Sequence, residues 1–180
     1  MAWALRRAFI GSSVAWASAL PLATLAASHR FAPSIVYVLA FAVYAIGGVV
    51  CHQRPERSFF LWAHQMPVCA RCTGIYAGAA LGALALAFRM GRQTTLNAEP
   101  AEPAEKKYPT VSPRVLRVLR SNGVCLHMAF SPPRTMLALA ALPTVVTLAY
   151  EWTTGHMPSN TVRALAGLPL GAAVSWIVIR

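Results

Sequence analysis

Long apolar stretches separated by short polar segments dominate the pattern of this chain. The apolar stretches lie near residues 8–28, 33–50, 73–88, 135–150 and 164–179. A helix needs about 20 consecutive apolar residues to cross the hydrocarbon core of a bilayer. The pattern therefore predicts an all-α, polytopic transmembrane helix bundle with about five helices, and with four as the alternative. The last two stretches are short, so their helices need extended ends or a locally adapted bilayer.

The first apolar stretch follows Arg6 and Arg7, and this arrangement also fits a cleaved signal peptide. The apolar core of a signal peptide has about 7–15 residues. The stretch 8–28 is longer than that. Its length favours a retained membrane helix.

Two segments between the apolar stretches are of a different kind. Residues 51–72 are mixed in polarity and too short to cross, so we expect an interfacial or re-entrant segment. Residues 93–133 form a basic linker rich in Pro, Glu and Ala. Its VSPRVLRVLR segment suits either a membrane surface or a solvated turn. We expect one membrane domain over residues 1–180, with 93–133 as an insertion.

Composition strengthens the prediction of a membrane protein. The chain is 57% hydrophobic and only 12% charged, whereas soluble domains carry about 25% charged residues. The net charge of +11 comes mostly from cations that flank the apolar stretches. Cations in that position anchor helices and attract anionic lipid head groups, so we expect the lipid bilayer as partner and no nucleic acid. The expected location is the cell inner membrane, with several crossings.

The most reactive residues lie between the second and third apolar stretches. Cys69 and Cys72 form a C-x-x-C pair before the third, and Cys51 with His52 ends the second. Antiparallel helices joined by a short loop bring these ends to one membrane face. The four side chains are the candidate ligands of zinc or another thiophilic metal. The spacing favours a metal site, with a redox dithiol or small buried residues without chemistry as the alternatives.

The basic residues give conflicting indications of the side of the membrane on which this site lies. The positive-inside rule places the larger set of Lys and Arg in the cytoplasm and the Cys site outside. Arg6 and Arg7 flank the first helix and favour the reverse orientation.

Charged residues near the cysteines are further candidates. Arg54, Arg57 and Arg71 are candidates for binding an anionic group, such as a lipid head group or a substrate phosphate. Glu56 is expected in an ion pair, with a proton acceptor as the alternative. The candidate catalytic residues are Cys69, Cys72 and Glu56.

A second polar group opens the last helix. Glu151 closes the fourth apolar stretch, and its expected partner is Arg163, across a short loop. Asn160 suits the N-cap of the last helix. In the third stretch, Gly74, Gly78 and Gly82 share one helix face, which allows close approach of a neighbouring helix.

Three segments together resemble the uncharacterised integral-membrane family DUF2085: CHQRPERSF, PVCARCTGIYAG and SNTVRALAGLPLG. The resemblance implies a small multi-helix membrane protein but supplies no reaction. It directs attention to the motif positions of the three segments, which are Cys51, His52, Gln53, Pro55, Glu56, Arg57 and Ser58, then Cys69, Arg71, Cys72, Thr73, Gly74, Tyr76 and Gly78, then Asn160, Arg163 and Gly167.

Three functions fit these observations. The first is a membrane protein that binds metal through its Cys/His site. The second is a membrane thiol–disulfide oxidoreductase, with Cys69 or Cys72 as attacking thiolate and Cys51 as resolving partner. The third is a non-catalytic structural or transport bundle. Whether the chain is an enzyme stays open at this point.

Overall fold

A computed structural model describes residues 2–29, 33–96 and 133–180 of the chain. Within these residues it contains five α-helices, one turn of 3-10 helix at Pro55–Arg57 and a two-stranded sheet. The helices and strands, in chain order, are α1 (Ala2–Ser28), α2 (Ser34–Val50), β1 (Ser58–Leu61), β2 (His64–Cys69), α3 (Ala70–Leu96), α4 (Pro133–Thr154) and α5 (Asn160–Ile179).

The predicted helical membrane bundle is confirmed in the described part of the chain. Four helices, α1, α3, α4 and α5, are long and apolar enough to cross a membrane. Helix α2 is equally apolar but has 17 residues. Large apolar side chains such as Phe41 and Phe88 are 75% exposed and contact lipid in a membrane. Helix α3 extends to Leu96, into the predicted linker; residues 97–132, including Cys125, lie outside the described part.

The closest helix pair is α3 with α5, and glycine makes its contact possible. Gly74 on α3 lies against the backbone of Ala164, and Gly171 on α5 lies against the backbone of Ile75. A Cβ atom at either glycine would overlap the facing carbonyl. The glycine face predicted from the four-residue spacing therefore packs on α5, which contributes glycines of its own.

Residues 58–69 form a β-hairpin, where the sequence led us to expect an interfacial or re-entrant segment. Phe60 pairs with Gln65 in antiparallel register, and Trp62 and Ala63 form the two-residue turn. Both turn residues have positive φ, 51° and 63°. Such turns favour Asn-Gly or Asp-Gly, so Trp-Ala lacks the usual signal of a tight hairpin turn.

The hairpin packs between α1 and α2. Val68 and Met66 on β2 are buried against Leu20 of α1, and Cys51 belongs to the same apolar cluster. A hydrogen-bonding clamp holds the end of α2 to β2: the Gln53 amide donates to the carbonyls of Tyr44, at 2.8 Å, and Pro67, at 2.7 Å. The packing thereby fixes Cys51, at the end of α2, beside Cys69, at the end of β2.

Candidate functional site

A cavity of about 400 Å³ lies where α2 ends and α3 begins. It stands at the ends of three candidate membrane spans, because α3 and α5 begin there and α4 ends there. Two chemical classes dominate its lining. These are three cysteines, Cys51, Cys69 and Cys72, and four arginines, Arg54, Arg57, Arg71 and Arg163.

The three cysteines converge although they come from three elements. Cys51 follows α2, Cys69 ends β2 and Cys72 lies in the first turn of α3. Their Sγ atoms all lie within 4.8 Å of one another. The backbone N–H of Cys69 donates a hydrogen bond to Cys51 Sγ at 3.2 Å. The two thiols of the C-x-x-C pair and the thiol at the end of α2 therefore form one cluster.

Cys69 is the thiolate of this cluster. A hydrogen bond from the Cys72 thiol lowers the pKa of Cys69 to about 5, against the opposing effect of partial burial. The backbone N–H of Cys72, the Cys51 thiol and the backbone N–H of Arg71 lower this pKa further. Because an ordinary thiol has a pKa of about 8.5, Cys69 is ionised at neutral pH while a free cysteine is mostly protonated.

The structure brings together three of the four predicted metal ligands. His52 lines the same cavity, but its side chain is exposed and its ring nitrogens do not belong to the sulfur cluster. His52 was predicted as a ligand because it directly follows Cys51 in the sequence. The extended backbone at Cys51 turns successive side chains to opposite sides, so adjacency in sequence does not produce adjacency at the site.

A buried charge cluster forms the opposite side of the cavity. Glu151 is 7% exposed and forms ion pairs with three arginines. Its Oε1 lies 2.6 Å from Arg57 Nη2 and 3.4 Å from Arg163 Nη2, and its Oε2 lies 3.8 Å from Arg71 Nη2. The predicted pair of Glu151 with Arg163 is confirmed, and sequence reasoning missed the other two partners.

The arginines near the cysteines are thus not equivalent. Arg57 and Arg71 pair with Glu151 inside the protein, while Arg54 is exposed at the cavity. The expected ion pair of Glu56 does not form among the described residues, and its side chain is exposed outside the cavity lining. Glu151, near the end of α4, takes the role expected for Glu56, because its carboxylate reaches Arg57 and Arg71.

Asn160 joins the hairpin to α5. Its side-chain N–H donates to the carbonyl of Ser58 at 2.9 Å, and its Oδ1 accepts from Arg163 Nη1 at 3.4 Å. The N-cap of α5 is Ser159, whose hydroxyl accepts from the Val162 N–H. The expectation of Asn160 as the cap was wrong by one position, because the amide serves a tertiary contact.

The cysteine side of the cavity is similar to a known protein family. Residues 51–99 match the family described as "Predicted membrane protein (DUF2085)". This segment is similar to DUF2085. The match confirms the predicted resemblance and contains Cys51, Cys69 and Cys72, whereas Glu151 and Arg163 lie beyond it.

Two archaeal relatives are similar to part of the chain. The uncharacterized protein MJ1492 of Methanocaldococcus jannaschii is 46% identical over 50 residues, which are 28% of this chain and 32% of that protein. An uncharacterized protein of Methanothermobacter thermautotrophicus is 60% identical over 30 residues, 17% of this chain and 27% of the relative. The chain thus matches about a third of each relative or less. No solved structure matches it significantly. Both relatives are described as uncharacterized, so the comparison adds no activity to the DUF2085 match.

Proposed function

We propose that this membrane protein binds a thiophilic metal ion through Cys51, Cys69 and Cys72. The observation that carries the proposal is the convergence of three Sγ atoms within 4.8 Å of one another. Cysteine thiolates select zinc and monovalent copper over harder cations. A thiolate at Cys69, already ionised at neutral pH, provides the first ligand without a proton to displace.

The dimensions of the cluster suit such an ion. Zinc binds sulfur at about 2.3 Å, which separates sulfur atoms by about 3.8 Å in tetrahedral geometry. A contraction of about 1 Å or less brings three atoms within 4.8 Å of one another to that spacing. Three protein ligands leave the fourth position open toward the cavity, an arrangement found where an ion also meets a bound molecule.

The test is elemental analysis combined with thiol titration of the purified full-length protein. Under reducing conditions we expect one equivalent of zinc or copper in the wild type and its loss in Cys72→Ser. The matched control is Cys125→Ser, which removes a cysteine outside the described residues and keeps the cluster. A wild-type protein that takes up no stoichiometric metal when zinc and copper are supplied would refute the proposal.

A membrane thiol–disulfide oxidoreductase is the second candidate, and the lowered pKa of Cys69 favours it. In that reaction the Cys69 thiolate attacks a disulfide of a partner and releases one partner thiolate. Cys72 or Cys51 then attacks the mixed disulfide, releases the second partner thiol and leaves an oxidised pair in this protein. Trapping distinguishes the two functions: a double variant, Cys51→Ser with Cys72→Ser, lacks both resolving thiols and accumulates a mixed disulfide on Cys69 only if the oxidoreductase reaction occurs.

We further propose the cell inner membrane as the location, with residues 1–180 as one domain and 93–133 as its inserted linker. The cations that flank the helices support contact with anionic lipid head groups. Fractionation of cells that express the chain, followed by washing of membranes with high salt and carbonate, tests the location.

A further inference from the structure

Arg163 is the most deeply buried charge at the cavity. It is 2% exposed, and it lines the cavity from the first turn of α5. Its Nη1 donates to Asn160 and its Nη2 faces Glu151, but its Nε and Nη2 have no hydrogen-bond partner. The Nε atoms of Arg57 and Arg71 are buried and unpartnered as well. Buried N–H groups of this kind are rare because each one forfeits its hydrogen bonds to water.

The charges at the cavity do not balance. Four arginines line it, and no Asp or Glu does so within the described residues. Glu151 is the only acid that pairs with them in that part of the chain, and it lies outside the lining. Its two oxygens lie within 4 Å of arginine Nη2 atoms, but both are buried without a hydrogen-bond partner. The cavity itself is therefore a basic, partly desolvated surface with unused donors.

We propose that this cavity binds a phosphate-type oxyanion, a phosphate ester or a phospholipid head group, with Arg163 as its buried anchor. Guanidinium groups bind phosphate oxygens in pairs of parallel hydrogen bonds, and the unpartnered N–H groups supply such donors. Arg71 and Arg57 approach from α3 and the 3-10 turn, and exposed Arg54 closes the rim. Glu151 fixes the guanidinium groups and limits their mutual repulsion.

The size of the cavity fits more than a bare ion. At about 400 Å³ it lies in the range of about 300–1,000 Å³ for small-molecule sites. The thiol cluster lines the same space, so a bound oxyanion ester lies next to the sulfur atoms. The anion site uses arginine side chains only and stands whether or not the thiols hold a metal.

The experiment is a calorimetric titration of the full-length protein in a neutral maltoside detergent. The protein is first stripped of metal with chelator, so that the outcome does not depend on the metal proposal. One arm uses inorganic phosphate at constant ionic strength. The other uses a short-chain phosphatidic acid, with the matching diacylglycerol as the ligand that lacks phosphate.

We expect one equivalent of phosphate or of phosphatidic acid to bind, and no diacylglycerol. Binding of inorganic phosphate identifies a soluble phosphate ester as the ligand class, and binding of phosphatidic acid alone identifies the lipid head group. Arg163→Gln should weaken binding about 10-fold or more, the loss of one charged hydrogen bond. Arg54→Gln alters an exposed side chain, leaves folding intact and should also weaken binding. Arg7→Gln is the control, because Arg7 stacks on Trp3 of α1 and is absent from the cavity lining.

Two results would overturn the proposal. One is the absence of binding in both arms with folded wild-type protein. The other is equal binding by wild type, Arg54→Gln and Arg163→Gln, which would place the anion elsewhere.

Discussion

The two sides of the cavity are built in opposite ways. The sulfur wall, Cys51, Cys69 and Cys72, comes from one continuous stretch of chain within the DUF2085 segment. The arginine wall, Arg57, Arg71 and Arg163 with Glu151 behind it, joins that stretch to α4 and α5. The sulfur wall depends on local geometry, whereas the arginine wall exists only when distant helices dock. Damage to the arginine wall should therefore cost stability, and damage to the sulfur wall should cost metal binding.

The largest loss of stability is expected from Glu151→Gln. The change leaves three arginines with no carboxylate between them, and breaking a buried ion pair from one side costs about 3–5 kcal/mol. Thermal unfolding in detergent should show the loss as a clear drop in Tm. Glu56→Gln is the matched control, because Glu56 is exposed and unpaired among the described residues, and its effect should stay within about 0.5 kcal/mol. Equal effects of the two substitutions would contradict the charge cluster.

Cys72→Ser should separate the two walls. Metal affinity should fall more than about 100-fold, because even changes outside the direct ligands cost about 10–100-fold. The free energy of unfolding should change by no more than about 1 kcal/mol, because serine retains the shape of this half-buried side chain. Competition with a zinc chelator measures the first effect and thermal unfolding the second. A loss of stability as large as that of Glu151→Gln would remove the distinction between the walls.

The reactivity of Cys69 should follow its pKa of about 5. Its thiolate form persists from pH 8 to pH 6 and is lost as the pH falls through about 5. Alkylation of the Cys69 peptide by iodoacetamide, followed by mass spectrometry, should therefore show a midpoint near pH 5. In unfolded protein the midpoint should return to about 8.5, the value of a free cysteine. A midpoint near 8.5 in the folded protein would contradict the hydrogen bonding inside the sulfur wall.

The smallest expected effect lies at the tip of the hairpin that carries Cys69. Ala63 has a φ of 63°, a conformation that costs an L-residue about 1–2 kcal/mol and glycine nothing. Ala63→Gly should raise the free energy of unfolding by about 0.5–1 kcal/mol after the extra chain entropy of glycine is subtracted. Thermal unfolding checks the prediction, and Tm should rise in Ala63→Gly. Ala80→Gly, within α3, is the opposite control and should destabilise.

Hydrophobic pattern alone predicted the helical bundle, because crossing a bilayer requires apolar length and little else. The four-residue glycine spacing also predicted a face for close packing, and Gly74 lies on it. The glycine spacing did not predict which helix would pack on this face, because any helix with small residues can do so.

The site was predictable only where it is local. The C-x-x-C pair and Cys51 meet because one hairpin connects them. The hairpin itself was missed, since Trp62 and Ala63 are not typical turn residues and tertiary packing on α1 overrides their preference. The sequence made Arg57 and Arg71 candidates for binding an anionic group, and their pairing with Glu151 was missed because Glu151 lies in another apolar stretch. Periodicity cannot indicate which distant side chains meet.

The glycine contacts between α3 and α5 fix the positions of two of the arginines at the cavity. The backbones of the two helices are in contact along this interface, and the Ser175 hydroxyl donates to the Ala79 carbonyl at 2.6 Å. The two helices therefore pack as one unit. Arg71 lies on α3 and Arg163 on α5, so this packing sets their separation. The hydrogen bond from Asn160 to the Ser58 carbonyl joins the hairpin to the start of α5. Main-chain contact between α3 and α5 therefore positions Arg71 and Arg163 independently of their ion pairs with Glu151.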